Sequence, residues 1–173
     1  MLHPTDYRYR VEELEAFLSP QALLRYMLRV EVAYVEALEE AGVCPQGVAG
    51  EVQRGAKRVT LSRVQQLERE LRHDVRAMVE ALREQVTSSA RPFFHLVLTS
   101  YDVVCNAHAL ALREATSRLI LPNLASLIST LISLARRYRD TPQMGRTHGQ
   151  HAEPTTFGYT LSNYVERLGK CLV

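Results

Sequence analysis

The sequence contains no tryptophan, and only 8 glycines, 7 prolines, 4 phenylalanines and 3 cysteines among its 173 residues. Each scarcity excludes something. So few turn formers fit a helix-rich chain, and no stretch of useful length alternates with the period of a strand, so the expected fold is all-α. The cysteines, Cys44, Cys105 and Cys171, form no C-x-x-C pair and have no Cys/His spacing suited to zinc, so no metal site is expected. An odd cysteine count without a signal peptide fits a reducing, cytoplasmic setting. Charge of one sign is also lacking. A net charge of +2 is too small to point to nucleic acid or an anionic membrane as partner. With 46% hydrophobic and 23% charged residues, the chain reads as soluble and globular.

Charge is missing altogether from Leu119 to Ala135, "LILPNLASLISTLISLA". A membrane-spanning helix needs about 20 predominantly apolar residues. This run is shorter and holds Pro122, Asn123 and three serines, so no membrane is expected. A helix apolar nearly all round is one buried on several sides, here against other subunits.

What is present is mostly helical period. Ser19-Pro20 is a cap followed by proline at the first helical position, and Leu23, Leu24, Met27, Val30, Tyr34 and Leu38 recur behind it up to a stop at Gly42. Val43 to Thr60 is weakly patterned and reads as turn-rich. Val64, Leu67, Leu71, Val75, Met78, Leu82 and Val86 form one narrow stripe, predicting a single helix. On that helix His73 points about 200° from Leu71, at 100° per residue, on the side of Arg69, Arg72 and Arg76. By itself this is a solvated cationic face. "TSYD", Thr99–Asp102, fits a capping box, and the helix behind it reaches about Tyr138 with a kink at Pro122. Such a helix start offers free N–H groups and a positive dipole end to an anion. A final helical pattern runs from Phe157 to Leu172.

Between the last two helices lies "GRTHGQHAEPTTFG", Gly145–Gly158, with two histidines, three glycines and no apolar period. Long polar loops in compact domains tend to be functional. This stretch resembles the histidine loop of adenylosuccinate lyases in the fumarase/aspartase superfamily. Four more segments resemble that family in the same order: "DYRYR" with "LSPQALLRYMLRVEVAYVEAL", "LRHDVRAMVEAL", "FFHLVLTSYDVV" and "YRDTPQMGRTHGQ". Fumarases and aspartases resemble "GRTxLQDA" at the loop and argininosuccinate lyases "GYTHLQRA", whereas Gly149 and His151 stand here. Leu96-Val97 departs from the family, in which many members carry Tyr-Gly after the histidine, and so does Tyr101 between Ser100 and Asp102.

The resemblance implies a β-elimination that releases fumarate from adenylosuccinate, leaving AMP, and from the succinyl-carboxamide precursor of purine biosynthesis, without a cofactor. It implies His148 as general acid with His73 beside it. It implies Arg8 and Tyr9 on the nucleotide phosphate, Arg72 and Asp74 flanking His73 on the substrate, and Thr99 and Ser100 on the succinyl carboxylate. His95, which without the resemblance reads as a core histidine, becomes a further substrate-site residue; His151 reads as structuring the loop. The implied assembly is a homotetramer with each site built from several subunits. The implied domains are residues 1–95, an N-terminal helical domain, and 96–173, the opening of a central helical bundle.

Nothing here resembles the glycine-rich "SSxMPxKxNP" loop that carries the family's serine base, and the last helical pattern has no stop signal before Val173. The chain is therefore expected to be an N-terminal portion of such a lyase. Two other readings stay open: a catalytically inactive helical assembly module, and a lyase for another succinyl-type substrate of the superfamily. The 173-residue chain alone is expected to have no measurable lyase activity, because half of the acid–base pair is absent. Fumarate release from the clean chain, followed spectrophotometrically, would contradict this.

Overall fold

The computed structural model describes residues 9–172, whose regular elements are helices apart from one two-stranded hairpin, in keeping with the expected helical class. The chain forms two compact units, Met1–Ala115 and Thr116–Val173. Val103, Ala107, Ala111 and Ala115 all bury into the first unit.

In the first unit, α1 (Glu12–Leu18) leads into α2 (Pro20–Glu40), whose start is capped as expected: Ser19 Oγ accepts the Ala22 N–H at 3.2 Å. Leu24, Tyr26, Met27, Leu28, Val32 and Val35 of α2 are buried and join the core with residues of α3 (Val48–Ala56), α5 (Asp74–Arg83) and α6 (Ser100–Ala115). Each such apolar side chain, fully buried, stabilises the fold by roughly 1.5–3 kcal/mol.

The segment expected to be turn-rich contains α3. Its contact face uses small residues, Ala49, Val52 and Gly55, which leave little apolar period to read. A Cβ on Gly55 would lie 2.7 Å from Val86 Cγ1, so glycine is what lets α3 approach this closely. The start of α3 is capped from α2: the Glu39 carboxylate accepts the N–H groups of Gly47 at 2.9 Å and Ala49 at 2.8 Å.

The single helix expected over 64–86 is two helices, α4 (Leu61–Leu71) and α5, parted at Arg72 and His73. Arg72 takes φ +55° and His73 is extended at φ −156°. Neither glycine nor proline marks the break, and the apolar stripe stays in phase across it, so the two helices read as one.

In the second unit a π-helical turn, Thr116–Ile120, precedes α7 (Leu121–Arg137). Pro122 sits in the first turn of α7, where its missing N–H costs nothing, and the chain widens to a π turn just ahead of it. Only Ile128 of α7 is buried. Helical turns from Ser100 to Arg137 are, by length and composition alone, apolar enough to cross a membrane; just 6% of the most apolar 18-residue window is buried within the chain.

The polar loop expected after this helix is a hairpin. β1 (Pro142–Thr147) pairs antiparallel with β2 (Gln150–Thr156), and a bulge falls between Met144 and Arg146. A Cβ at Gly145 would lie 2.5 Å from the Glu153 carbonyl oxygen, which explains a glycine at the bulge. α8 (Phe157–Gly169) then packs on α7, with Thr156 Oγ1 capping its start.

Acid should loosen the first unit. Glu39 is held below the ordinary carboxylate range chiefly by the Gly47 N–H, then by that of Ala49, and Glu51 chiefly by the Thr87 N–H. A carboxyl lowered in the folded state contributes stability above its unfolded pKa and loses it as pH falls through the folded value. Glu39→Gln should therefore be less stable than the parent near neutral pH, with the gap closing in acid. Denaturant midpoints at the two pH values check this; an unchanged gap contradicts it.

Candidate active site

Of the residues singled out in the first unit, Thr99, Ser100 and His73 meet at the start of α6. Thr99 and Asp102 form the expected box: Asp102 Oδ2 accepts the Thr99 N–H at 2.7 Å and the Thr99 hydroxyl at 2.9 Å, while the Asp102 N–H donates to Thr99 O at 3.1 Å. The Thr99 N–H holds the Asp102 carboxyl below its ordinary range, with the Thr99 hydroxyl adding to it. The hydroxyl proton of Thr99 is thus engaged locally. That of Ser100, the first residue of α6, is directed elsewhere.

Ser100 Oγ lies 3.4 Å from His73 Nε2. His73 is not on the flank of a helix, as its phase in a continuous 64–86 helix required, but is the N-cap of α5: its Nδ1 faces the Arg76 N–H at 3.4 Å. The same nitrogen lies 3.3 Å from Asp74 Oδ1. Nδ1 therefore has two alternative partners, one that donates to it and one that accepts from it. With the hydrogen on Nε2 the ring caps α5 and donates to Ser100; with it on Nδ1 the ring pairs with Asp74. Its side chain is 47% exposed, open to a ligand. Arg72, just before it, lines an open cleft of about 500 Å³ with Gln65, Glu68 and Arg69.

His95 is held differently. Its main-chain N–H donates to Glu31 Oε2 at 2.8 Å and its Nδ1 lies 2.6 Å from Glu31 Oε1. Glu31, on α2, is 0% exposed. The next residue is gripped from the same helix: the Tyr34 hydroxyl donates to Leu96 O at 2.7 Å. Glu31 was missed in the sequence, though a signal existed. It lies four residues after Met27 and four before Val35, a carboxylate in phase with buried apolar positions.

His148 stands at the tip of the hairpin in the second unit. Thr147 pairs with Gln150, so the turn holds just His148 at φ +51° and Gly149 at φ +72°. Two positive φ values make a type I′ turn, whose twist suits a two-residue hairpin. His148 is exposed, and His151 lies on β2 opposite Arg146. Tyr9 is 76% exposed ahead of α1. Arg8 lies outside the described residues.

Among the described residues four non-glycine residues adopt positive φ: Arg72, His95, Val97 and His148. All four lie in the segments singled out from the sequence. Strained backbone persists where the surroundings over-determine it, and it gathers at functional sites. Val97 is the most costly, being β-branched at φ +63°. It stands where glycine is common in the resembled family.

No group of three or more acidic, histidine or cysteine side chains among the described residues is placed to hold a metal. The chemistry on offer is that of two imidazoles, two hydroxyls and a helix N-terminus: proton transfer beside a bound anion.

A sequence model of a lyase family, described as "Lyase", matches residues 6–171. The chain belongs to this family. The adenylosuccinate lyase of Methanothermobacter thermautotrophicus is 36% identical over 173 residues, covering 99% of this chain and 38% of that protein. The adenylosuccinate lyase of Thermotoga maritima is 39% identical over 161 residues, covering 93% and 37%. The resemblance to adenylosuccinate lyases stands, and the chain spans a little over a third of the length of the curated relatives it matches. Among solved structures, the 3-carboxy-cis,cis-muconate lactonizing enzyme of Pseudomonas putida aligns with a TM-score of 0.88 at 27% identity, covering 98% of this chain and 40% of that one. The fumarate lyase of Mesorhizobium sp. BNC1 aligns with 0.83 at 27% identity, covering 93% and 38%. The lyase family thus sets one framework under several chemistries, and the substrate must be argued from side chains.

Val97 gives a direct test of the strain. Its side chain is 89% exposed, so replacing it loses little packing. Relief of a left-handed β-branched residue, 1–3 kcal/mol, exceeds the 0.5–1 kcal/mol entropic cost of glycine. Val97→Gly should therefore stabilise the protein by about 1 kcal/mol. A denaturation midpoint equal to or below the parent's contradicts a strained turn there.

Proposed function

We propose that the protein carrying this chain is an adenylosuccinate lyase, splitting adenylosuccinate into AMP and fumarate and acting likewise on the succinyl-carboxamide purine precursor. The observation that carries the site is the coincidence of backbone strain with the residues singled out: Arg72, His95 and His148 take left-handed conformations, and His73, next to Arg72 in the chain, lies within reach of Ser100. The substrate reading draws on the relatives named adenylosuccinate lyase at 36–39% identity.

The elimination breaks a carbon–nitrogen bond. A base removes the proton on the carbon next to a carboxylate, the electron pair forms the fumarate double bond, and the nitrogen leaves with a proton. In this reading Ser100, Thr99 and the N-terminus of α6 take the succinyl carboxylate, whose charge grows as the proton leaves. Arg8 and Tyr9 take the phosphate, for which the planar guanidinium is suited. Arg72, Asp74 and His95 orient the substrate. His148 protonates the leaving nitrogen, and His73, whose Nδ1 has two alternative partners, shares in the proton's placement. The protein acts in the cytoplasm as a homotetramer, in which neighbouring helices cover the apolar face of α7.

The test is kinetic, on the intact protein. His148→Ala should lower kcat by roughly 10²–10⁴ with little change in KM. Arg8→Ala should chiefly weaken nucleotide binding, by about 1.5–3 kcal/mol. Near-normal kcat in His148→Ala overturns the acid assignment, and no turnover of adenylosuccinate by the parent overturns the substrate.

A further inference from the structure

Among the described residues Glu31 is the only charged side chain that is fully buried. Taking a carboxylate out of water costs several kcal/mol unless its lone pairs are satisfied, and a buried ion pair is often no more stable than a well-packed apolar pair. Stability is thus a poor reason for a carboxylate here; Met27 and Val35, one turn to either side, show that the site takes apolar side chains. What the carboxylate does is specific. Both of its oxygens go to one residue, Oε2 to the His95 main-chain N–H at 2.8 Å and Oε1 to the His95 Nδ1 at 2.6 Å. One contact holds the backbone in its left-handed turn at φ +55°; the other holds the ring.

A carboxylate only accepts hydrogen bonds, so the ring hydrogen must be on Nδ1. In the neutral ring Nε2 is then the unprotonated nitrogen. The ring is 23% exposed, and no second hydrogen-bond partner for it is among the described residues. His95 also lies four residues before Thr99, on the short loop that leads into α6.

We propose that Glu31 is a positioning residue for the active site: it fixes His95 in the Nδ1–H tautomer and presents Nε2 as a hydrogen-bond acceptor for the substrate. This rests on the reading of His95 as a substrate-site residue. An acceptor in that position suits a donor group, such as the N–H of a succinyl-amino substrate, and not a carboxylate or phosphate oxygen.

Glu31→Gln separates orientation from packing. The amide has nearly the same shape and its oxygen still accepts the His95 main-chain N–H. Its NH₂ group then faces Nδ1, which must become the acceptor, so the ring hydrogen moves to Nε2. Ring ¹⁵N–¹H correlation spectra of ¹⁵N-histidine-labelled protein, with His95 assigned by its disappearance in His95→Gln, should show the Nδ1–H form in the parent and the Nε2–H form in Glu31→Gln. In the intact protein Glu31→Gln should lower kcat/KM by about 10–100-fold, as when an outer partner that orients a histidine is lost. Adding Glu31→Gln to His95→Gln should cost nothing further. An Nε2–H form in the parent overturns the proposal even if Glu31→Gln does not fold, and so does an unchanged tautomer in Glu31→Gln. A switched tautomer with full activity in both Glu31→Gln and His95→Gln refutes the site role of His95 and leaves the proposed lyase activity standing on His148.

Discussion

One buried carboxylate ties the segment from His95 to Thr99 to the core. Glu31 projects from α2 into the first unit and there holds both the backbone and the ring of His95. Four residues later Thr99 opens the box that starts α6, so the position of that helix end depends on the turn that Glu31 pins. Tyr34, one turn along α2, holds Leu96 O as well. The loop from His95 to Thr99 is therefore clamped from one rigid helix, and its strained residues cannot relax without breaking these bonds. Backbone strain of this kind survives only under such constraint.

A second regularity follows from helix ends. Thr99 and Ser100 start α6, His73 caps α5, Arg72 ends α4, and His148 occupies a two-residue turn. None lies in the middle of a helix. Helix starts supply oriented N–H groups and a fixed partial charge, while their cap side chains are held by the same geometry. A site for a multiply charged anion gains from this, because its dipoles are already in place when charge develops.

Much of this was legible in the sequence, for reasons that differ by element. The start of α2 and the α6 box follow from cap chemistry, which is local and depends on a few named side chains. The ordered motifs carried the candidate residues. The break at Arg72–His73 was hidden because the apolar spacing in the sequence keeps its phase across it, and because the chain turns there through a left-handed arginine instead of a glycine. α3 was hidden because small residues make its contacts. The hairpin was hidden because its strands carry almost no apolar alternation; its signal is the His148-Gly149 pair, which serves as Asn-Gly does in other tight hairpins. Glu31 was overlooked because a periodicity search counts apolar residues and passes over the polar one that shares their phase.

The two units differ in what holds them. The first has a continuous apolar core, and its candidate residues are fixed by caps and by Glu31. The second buries little: of α7 only Ile128 is covered, and from α8 only Gly158. Gly158 is itself informative, since a Cβ there would lie 2.5 Å from the Ala135 carbonyl oxygen, so α7 and α8 meet backbone to backbone at the base of the hairpin. That contact orients the hairpin on its helix pair, yet most of the apolar surface of α7 stays open within the chain. A catalytic acid must be placed to within a fraction of an ångström, which a thinly covered helix pair does poorly by itself. The same helices that leave His148 at an exposed tip therefore supply the apolar surface through which a larger assembly can hold it. In this architecture, burial of α7 and placement of His148 are one structural problem.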